Sequence, residues 1–137
     1  MISSYPPSKR TVLCIDDDQA ILRYEKMLLE RSGYAVLAAA SAQQGLRLVT
    51  MCKCDAVLLD YEMPGISGHV VAAEIKRVRP ELPVVLLSGT EVPTQALALV
   101  DAFVPKLEAL LGVCCSAKTE VTNARASPQS MRFICTS

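Results

Sequence analysis

Aromatic side chains and an excess of charge of either sign are what this 137-residue sequence lacks most. It has no tryptophan, and aromatic residues make up only 4% of it. The 14 basic residues balance 14 acidic ones, so the formal net charge is zero. A general nucleic-acid binder needs a basic surface to neutralise phosphates and often stacks bases on aromatic platforms. The composition therefore argues against direct DNA binding.

Long hydrophobic runs are absent as well. The longest unbroken apolar stretch, residues 34–40, is too short to span a bilayer, and residues 1–10 lack the apolar segment of a secretory signal. Without such a signal, the six cysteines suit a reducing compartment. We therefore expect a cytoplasmic protein without membrane contact. Because the chain offers one histidine and no second cysteine pair at the spacing of a zinc ribbon, Cys52 and Cys54 are interpreted as packing residues, not as zinc ligands.

Short apolar runs alternate with stretches of helical periodicity, and hydrophobic residues make up 51% of the chain, enough for one globular domain. The apolar runs predict strands at residues 11–15, 35–39, 56–59, 84–87 and 102–104. Between and after them, helices are predicted at 19–32, 42–52, 68–78, 94–100 and 107–111, with Ser41 and Ser67 as N-caps. Strands that are apolar on both faces and separated by helices predict an α/β fold. We expect a doubly wound, five-stranded parallel sheet with helices on both faces.

Polar residues follow four of these strands at their carboxyl ends. They are Asp16, Asp17 and Asp18 after the first strand, Asp60 after the third, Ser88 after the fourth and Lys106 after the fifth. In a doubly wound sheet the carboxyl ends of the strands form the ligand-binding edge, so these side chains are expected to converge. The sequence therefore predicts a polar site at one edge of the sheet.

The residue types at this edge suit phosphoryl chemistry. Neighbouring carboxylates repel one another, and a hard cation such as Mg²⁺ relieves that repulsion. A carboxylate can also attack phosphorus and form an aspartyl phosphate. We therefore assign Asp16 and Asp17 to the metal and Asp60 to phosphoryl acceptance. Ser88 would donate a hydrogen bond to the phosphoryl group, and Lys106 would supply a positive charge.

Over residues 9–111 the sequence resembles the receiver domains of two-component response regulators. The resemblance rests on four motifs in order, at residues 12–18 (VLCIDDD), 57–65 (VLLDYEMPG), 84–89 (VVLLSG) and 103–106 (FVPK). It implies a flavodoxin-like fold and a phosphoryl group taken on Asp60 from a histidine kinase or a phosphotransfer protein. It also implies a signalling module rather than an enzyme, with slow hydrolysis of the aspartyl phosphate.

The resemblance gives the predicted metal site a ligand set. It implies that Asp17 and Asp60 bind Mg²⁺ directly, together with the backbone carbonyl of Glu62, while Asp16 holds a metal-bound water. The Glu62 side chain stands two residues after the acceptor, at a position that in the family tunes the lifetime of the phosphoryl group. A carboxylate there would either orient or repel an attacking water, and the sequence leaves both open.

Two residues are implied as a switch, because in the family the residues at the positions of Ser88 and Phe103 shift together on phosphorylation.

Other features depart from the family's pattern. Lys106 is preceded by Pro105 and followed by Leu107 instead of proline, and it stands 18 positions after Ser88, about one helical turn fewer than is common. We expect a trans bond after Lys106, since a non-proline cis bond costs about 2.5–4 kcal/mol. We also expect a short fourth helix.

The resemblance leaves residues 1–8 as an N-terminal extension and 112–137 as a tail. The tail lacks sustained periodicity and is too short for a DNA-binding domain, so we interpret it as disordered, with a short partner-binding segment as the alternative. We therefore expect a stand-alone module that signals by binding an unidentified downstream protein. Weak dimerisation is compatible with this reading.

Two other functions remain open. A degenerate receiver would act as an interaction domain without being phosphorylated, for which the short interval and Leu107 leave room. The Asp16-x-Asp18 pattern also resembles the opening of haloacid-dehalogenase-type phosphatases, with Asp16 as nucleophile and Asp18 as acid/base, although the residues that follow do not match that family. Asp18 equally suits a helix N-cap, and His69 is interpreted as a surface residue.

Overall fold

The strands and helices that the sequence predicts follow one another along the chain in the predicted order, with additional short strands among them. The computed structural model describes residues 9–106 together with Glu120 and Val121. Its strands are β1 (Thr11–Ile15), β2 (Ala35–Ala39), β3 (Ala56–Asp60), β4 (Glu62–Met63), β5 (Ile66–Ser67), β6 (Val84–Ser88), β7 (Ala102–Pro105) and β8 (Glu120–Val121). Its helices are α1 (Gln19–Arg31), α2 (Ala42–Met51), α3 (Gly68–Val78) and α4 (Thr94–Leu97). All five predicted strands are present, and three of them end one residue later than predicted.

The main sheet has the order β2-β1-β3-β6-β7-β8, and its first five strands are parallel. Alternate residues of these strands face two separate apolar clusters. One cluster joins Leu13, Val57 and Leu86 to residues of α2 and α3, and the other joins Val12 and Leu58 to α1. The prediction of a doubly wound parallel sheet with helices on both faces is therefore confirmed.

Side-chain caps fix where two of the helices begin. The Asp18 Oδ1 accepts hydrogen bonds from the backbone N–H of Ala20 at 2.9 Å and Ile21 at 3.3 Å, which starts α1 directly after the first strand end. The Ser41 Oγ accepts from the Gln44 N–H at 3.1 Å, as the capping pattern predicts. Ser67 is the N-cap residue of α3, as predicted, but its side chain makes no capping hydrogen bond.

The short fourth helix expected from the sequence is present, but it ends at Leu97, three residues before the predicted end. The chain instead turns after Leu97 and buries Val100, and Asp101 N–H then donates to Val84 O at 2.9 Å. The Asp101 carboxylate is buried, accepts from Val84 N–H at 2.8 Å and pairs with the Lys76 ammonium of α3.

A two-residue antiparallel ladder, β4 with β5, lies between β3 and α3. Gly65 makes the turn between them with φ +81°, a backbone conformation that favours glycine. Gly68 follows at the start of α3, where a Cβ atom would lie 2.7 Å from the Asp60 carbonyl oxygen. This absence of a side chain lets α3 start directly against the end of β3.

Several predictions fall outside the described part of the chain: the helix at 107–111, the extension 1–8, the bond between Lys106 and Leu107, and most of the tail. Within the tail, β8 pairs antiparallel with β7, with Ala102 opposite Val121 and Phe103 opposite Glu120. A short strand thus stands where the sequence suggested disorder. Among the described helices, none has the length and apolarity needed to cross a bilayer.

Candidate functional site

The carboxyl ends of β1, β3, β6 and β7 bring the predicted polar residues to one edge of the sheet. Strand register places Asp60 beside Leu87 and Ser88 beside Pro105, so the ends of β3, β6 and β7 are aligned. The side chains of Asp16, Asp60 and Ser88 are buried there, whereas Asp17 is exposed. The convergence predicted from topology alone is therefore present.

Three carboxylates form the acidic part of this site. Each of Asp16, Asp17 and Asp60 offers an oxygen, and these oxygens lie within 4.8 Å of one another. Backbone N–H groups orient two of them: Asp18 N–H donates to Asp16 Oδ1 at 2.9 Å, and Glu62 N–H donates to Asp60 Oδ1 at 3.2 Å. An all-oxygen cluster of this size fits a hard divalent cation such as Mg²⁺.

Lys106 supplies the positive charge of the site. Its Nζ lies 3.0 Å from Asp16 Oδ2 and 3.3 Å from Asp60 Oδ1, so one ammonium bridges two buried carboxylates. Burial opposes the charged form of Lys106, but the hydrogen bonds and charges of Asp16 and Asp60 outweigh that effect and raise the pKa of the ammonium. Within the described residues, the Lys106 side chain therefore reaches the predicted position although Leu107 follows it.

The pKa of Asp60 is raised to about 6, first by burial and then by the charge of Asp16. The Glu62 N–H and the Lys106 ammonium act in the opposite direction and limit this rise. The carboxylate is thus mostly ionised at neutral pH, yet more basic than an ordinary aspartate. A carboxylate of raised basicity is chemically suited to nucleophilic attack.

The Ser88 hydroxyl is directed toward the loop between β6 and α4. It contacts Thr90 O at 2.9 Å and Glu62 Oε1 at 3.3 Å, and it accepts from Thr90 N–H at 3.0 Å. Thr90 Oγ1 in turn donates to Glu62 Oε1 at 2.6 Å. Ser88 is therefore at the predicted edge, but its proton is directed to partners other than Asp60.

The remaining sequence candidates lie beside the site or outside it. Phe103, on β7, is half-buried and packs against the cluster that contains Leu86. His69 is half-buried, and its Nδ1 lies 2.9 Å from Ser67 Oγ. The Asp18 carboxylate accepts hydrogen bonds from the first turn of α1, as the capping interpretation predicts.

One buried carboxyl group at the site has no counterpart among the predicted residues. Glu25 of α1 is only 6% exposed, and burial followed by the charge of Asp16 raises its pKa to about 8. It shares a hydrogen bond with the thiol of Cys14, and burial raises the pKa of that thiol as well. The signal was present in the sequence, since Glu25 stands three residues after Leu22 and four before Leu29, on the apolar face of the helix.

The sequence model of the response regulator receiver domain matches residues 12–105. The chain belongs to this receiver domain family. Such domains are the parts of two-component response regulators that a histidine kinase phosphorylates on an aspartate, and they bind Mg²⁺ at their acidic pocket. The family assignment agrees with the resemblance inferred from the four motifs.

Curated relatives of this receiver are longer proteins. The transcriptional regulatory protein GlrR of Escherichia coli K12 is 36% identical over 78 residues, which are 57% of this chain and 18% of the relative. The response regulator MprA of Mycolicibacterium vanbaalenii is 30% identical over 103 residues, 72% of this chain and 45% of the relative. The receiver thus spans less than half the length of these two relatives.

Solved structures share the fold. A CheY-like receiver domain protein from Methanospirillum hungatei has a TM-score of 0.68 at 28% identity, over 72% of this chain and 82% of that one. TrrA of Thermotoga maritima, in complex with Mg²⁺-BeF, has a TM-score of 0.68 at 30% identity, over 71% and 86%. TrrA also occurs in a complex with the histidine kinase ThkA, at TM-score 0.66.

Proposed function

We propose that this receiver accepts a phosphoryl group on Asp60 from a histidine kinase or a phosphotransfer protein, in a reaction that depends on Mg²⁺. The observation that carries the proposal is the position of Lys106 Nζ, 3.0 Å from Asp16 Oδ2 and 3.3 Å from Asp60 Oδ1. A lysine between a nucleophilic carboxylate and a metal-type carboxylate can offset charge as a phosphoryl group arrives.

The transfer forms one bond and breaks one. A carboxylate oxygen of Asp60 attacks phosphorus, and an O–P bond forms while the P–N bond to the donor imidazole breaks. The electron pair of that bond goes to the imidazole nitrogen, which takes up a proton from water. Glu62 N–H and Lys106 Nζ, which already contact Asp60 Oδ1, hold the carboxylate during attack. Slow attack of water on the resulting acyl phosphate returns free Asp60.

The metal site of the proposal consists of Asp16, Asp17, Asp60 and the backbone carbonyl of Glu62. The mutual distance of the three carboxylates, within 4.8 Å, supports this assignment. Mg²⁺ would neutralise part of the phosphoryl charge when bound. Asp17, which is exposed, can be replaced without disturbing the core, whereas Asp16 also anchors Asp18 N–H and Lys106.

The partners in the proposal are proteins. The TrrA–ThkA complex supports a histidine kinase as the phosphoryl donor, because a receiver of the same fold binds one. The phosphorylated receiver would then bind an unidentified downstream protein. Weak dimerisation and a cytoplasmic location belong to the same proposal. Ser88 and Phe103 are proposed as the residues that change position on phosphorylation. Ser88 ends β6, which pairs with the strand of Asp60, and Phe103 lies on β7, which Lys106 follows directly.

Incubation with acetyl phosphate and Mg²⁺ tests the proposal. We expect intact mass spectrometry to detect one phosphoryl group that is stable in acid and labile in base, and we expect Asp60→Asn to abolish it. Asp55→Asn is the matched control. Asp55 is an exposed aspartate whose carboxylate accepts a hydrogen bond from Thr11 N–H at the start of β1. Labelling of Asp16 instead would favour the phosphatase, and no labelling of the wild type would favour the degenerate receiver.

A further inference from the structure

Glu62 connects three parts of the site. Its backbone N–H donates to Asp60 Oδ1 at 3.2 Å, and its Oε1 accepts from Thr90 Oγ1 at 2.6 Å and lies within hydrogen-bond distance, 3.3 Å, of Ser88 Oγ. The loop after β3 is thereby tied to the loop after β6. We call this carboxylate oxygen with its two hydroxyl neighbours, Ser88 and Thr90, the Glu62 latch.

Within the latch, the Ser88 hydroxyl has one proton and several acceptors. Glu62 Oε1, Thr90 O and Thr90 Oγ1 all lie within 3.3 Å of Ser88 Oγ, and Thr90 N–H occupies one of its lone pairs at 3.0 Å. The hydroxyl is buried and fully engaged in this arrangement. It can donate to a new group only if its present bonds break.

A phosphoryl group on Asp60 would change both ends of the latch. It would bring negative charge next to the loop that carries the Glu62 carboxylate, and like charges at short distance repel. It would also add strong hydrogen-bond acceptors beside Ser88, whose strand borders Asp60 directly. Repulsion and competition for the Ser88 proton therefore act in the same direction, toward opening of the latch.

We propose that Glu62 is a positioning residue that holds the Ser88 hydroxyl in its unphosphorylated arrangement, so that the latch must open before Ser88 can bind the phosphoryl group. The proposal rests on phosphoryl acceptance by Asp60. It assigns Glu62 a role in the equilibrium between two arrangements of the β6–α4 loop. That role is separate from any effect on an attacking water.

Binding of beryllofluoride in the presence of Mg²⁺, a mimic of the phosphoryl group, measures this equilibrium. We expect Glu62→Ala and Thr90→Val each to bind it roughly threefold to tenfold more tightly than wild type, the range for loss of one or two modest hydrogen bonds. The double variant should bind no more tightly than the tighter single variant, because both changes open the same latch. Glu62→Gln, which keeps an acceptor, should lie between wild type and Glu62→Ala.

Glu91→Ala is the matched control, since it removes an exposed carboxylate from the same loop without touching the latch. Equal gains in Glu91→Ala and Glu62→Ala would reduce the effect to net charge and overturn the proposal, and unchanged affinity in Glu62→Ala would overturn it as well. Failure of wild type to bind beryllofluoride would instead overturn phosphoryl acceptance itself.

A readout without any phosphoryl mimic tests the resting arrangement directly. Thr90 N–H donates to Ser88 Oγ, so we expect its hydrogen exchange to become faster in Glu62→Ala while exchange in β1 stays unchanged. Unchanged exchange at Thr90 would show that Glu62 does not hold the loop and would overturn the proposal.

Discussion

Glu25 is a carboxyl group buried under the acidic site, on the apolar face of α1. Its pKa of about 8 follows from burial and from the charge of Asp16. Its protonated form is therefore the one that the fold accommodates at neutral pH. Because the unfolded chain ionises this group near its ordinary value of 4.5, folding must keep a proton that the unfolded chain releases.

The resulting pH dependence has a definite sign. Below pH 4.5 Glu25 is protonated in both states, so its ionisation does not affect stability. Between that pH and about 8 only the folded state holds the proton, so the free energy of unfolding falls as pH rises, by up to about 1.4 kcal/mol per pH unit. We expect Glu25→Gln to match wild type in urea unfolding at pH 5 more closely than at pH 8, where the variant should be the more stable protein.

Glu30→Gln, on an exposed position of the same helix, serves as the comparison for this prediction. It should change stability little at either pH. A Glu25→Gln variant whose stability differs from wild type by the same amount at pH 5 and pH 8 would contradict the buried, protonated carboxyl.

At the scale of elements, the start of β7 is fixed by a partly buried ion pair. Asp101, just before β7, accepts from Val84 N–H of β6 and pairs with Lys76 of α3, and Lys76 also donates to Leu82 O at 2.7 Å. This contact holds β6, β7 and α3 together where α4 is too short to do so. It thereby supports the strand whose far end carries Lys106.

We expect Asp101→Ala to lower the free energy of unfolding by about 3 kcal/mol or more, because it leaves the Val84 N–H and the Lys76 ammonium without their carboxylate. Asp101→Asn should lose less, since an amide oxygen still accepts from the N–H. Urea unfolding measures both. Glu74→Ala, which breaks an exposed ion pair with Arg77, should leave stability nearly unchanged, and a similar effect of Asp101→Ala would refute the prediction.

Elements with a strong sequence pattern could be predicted, and elements without one could not. The strands of the parallel sheet are continuous apolar runs, and their topology alone brings Asp16, Asp60 and Lys106 together. The β4–β5 ladder has two residues per strand and therefore no periodicity to detect. The Glu62 latch depends on side-chain orientations across two loops, which spacing along the chain does not encode.

At the scale of the whole molecule, zero net charge hides a local concentration of negative charge. Three carboxylates lie within 4.8 Å at one edge of the sheet, and Lys106 contacts two of them. Their remaining repulsion disfavours the folded state in the absence of a metal ion. Any cation that binds this edge of the fold should therefore stabilise the whole chain.

We expect Mg²⁺ to raise the free energy of unfolding by about 1.4 kcal/mol at a free concentration ten times its Kd, as linkage requires. Thermal unfolding in magnesium chloride, compared with sodium chloride of equal ionic strength, measures this. Asp17→Asn should lose the effect, while Asp55→Asn should keep it. Equal stabilisation of both variants would indicate general screening of charge and would contradict a specific site.

The pairing of β8 with β7 has a consequence for how the protein can be shortened. An unpaired strand edge exposes backbone N–H and C=O groups that recruit other strands. Glu120 and Val121 cover that edge beside Phe103, yet they lie beyond residues 12–105 that match the family. A chain trimmed to the family boundaries would uncover this part of the β7 edge and invite self-association.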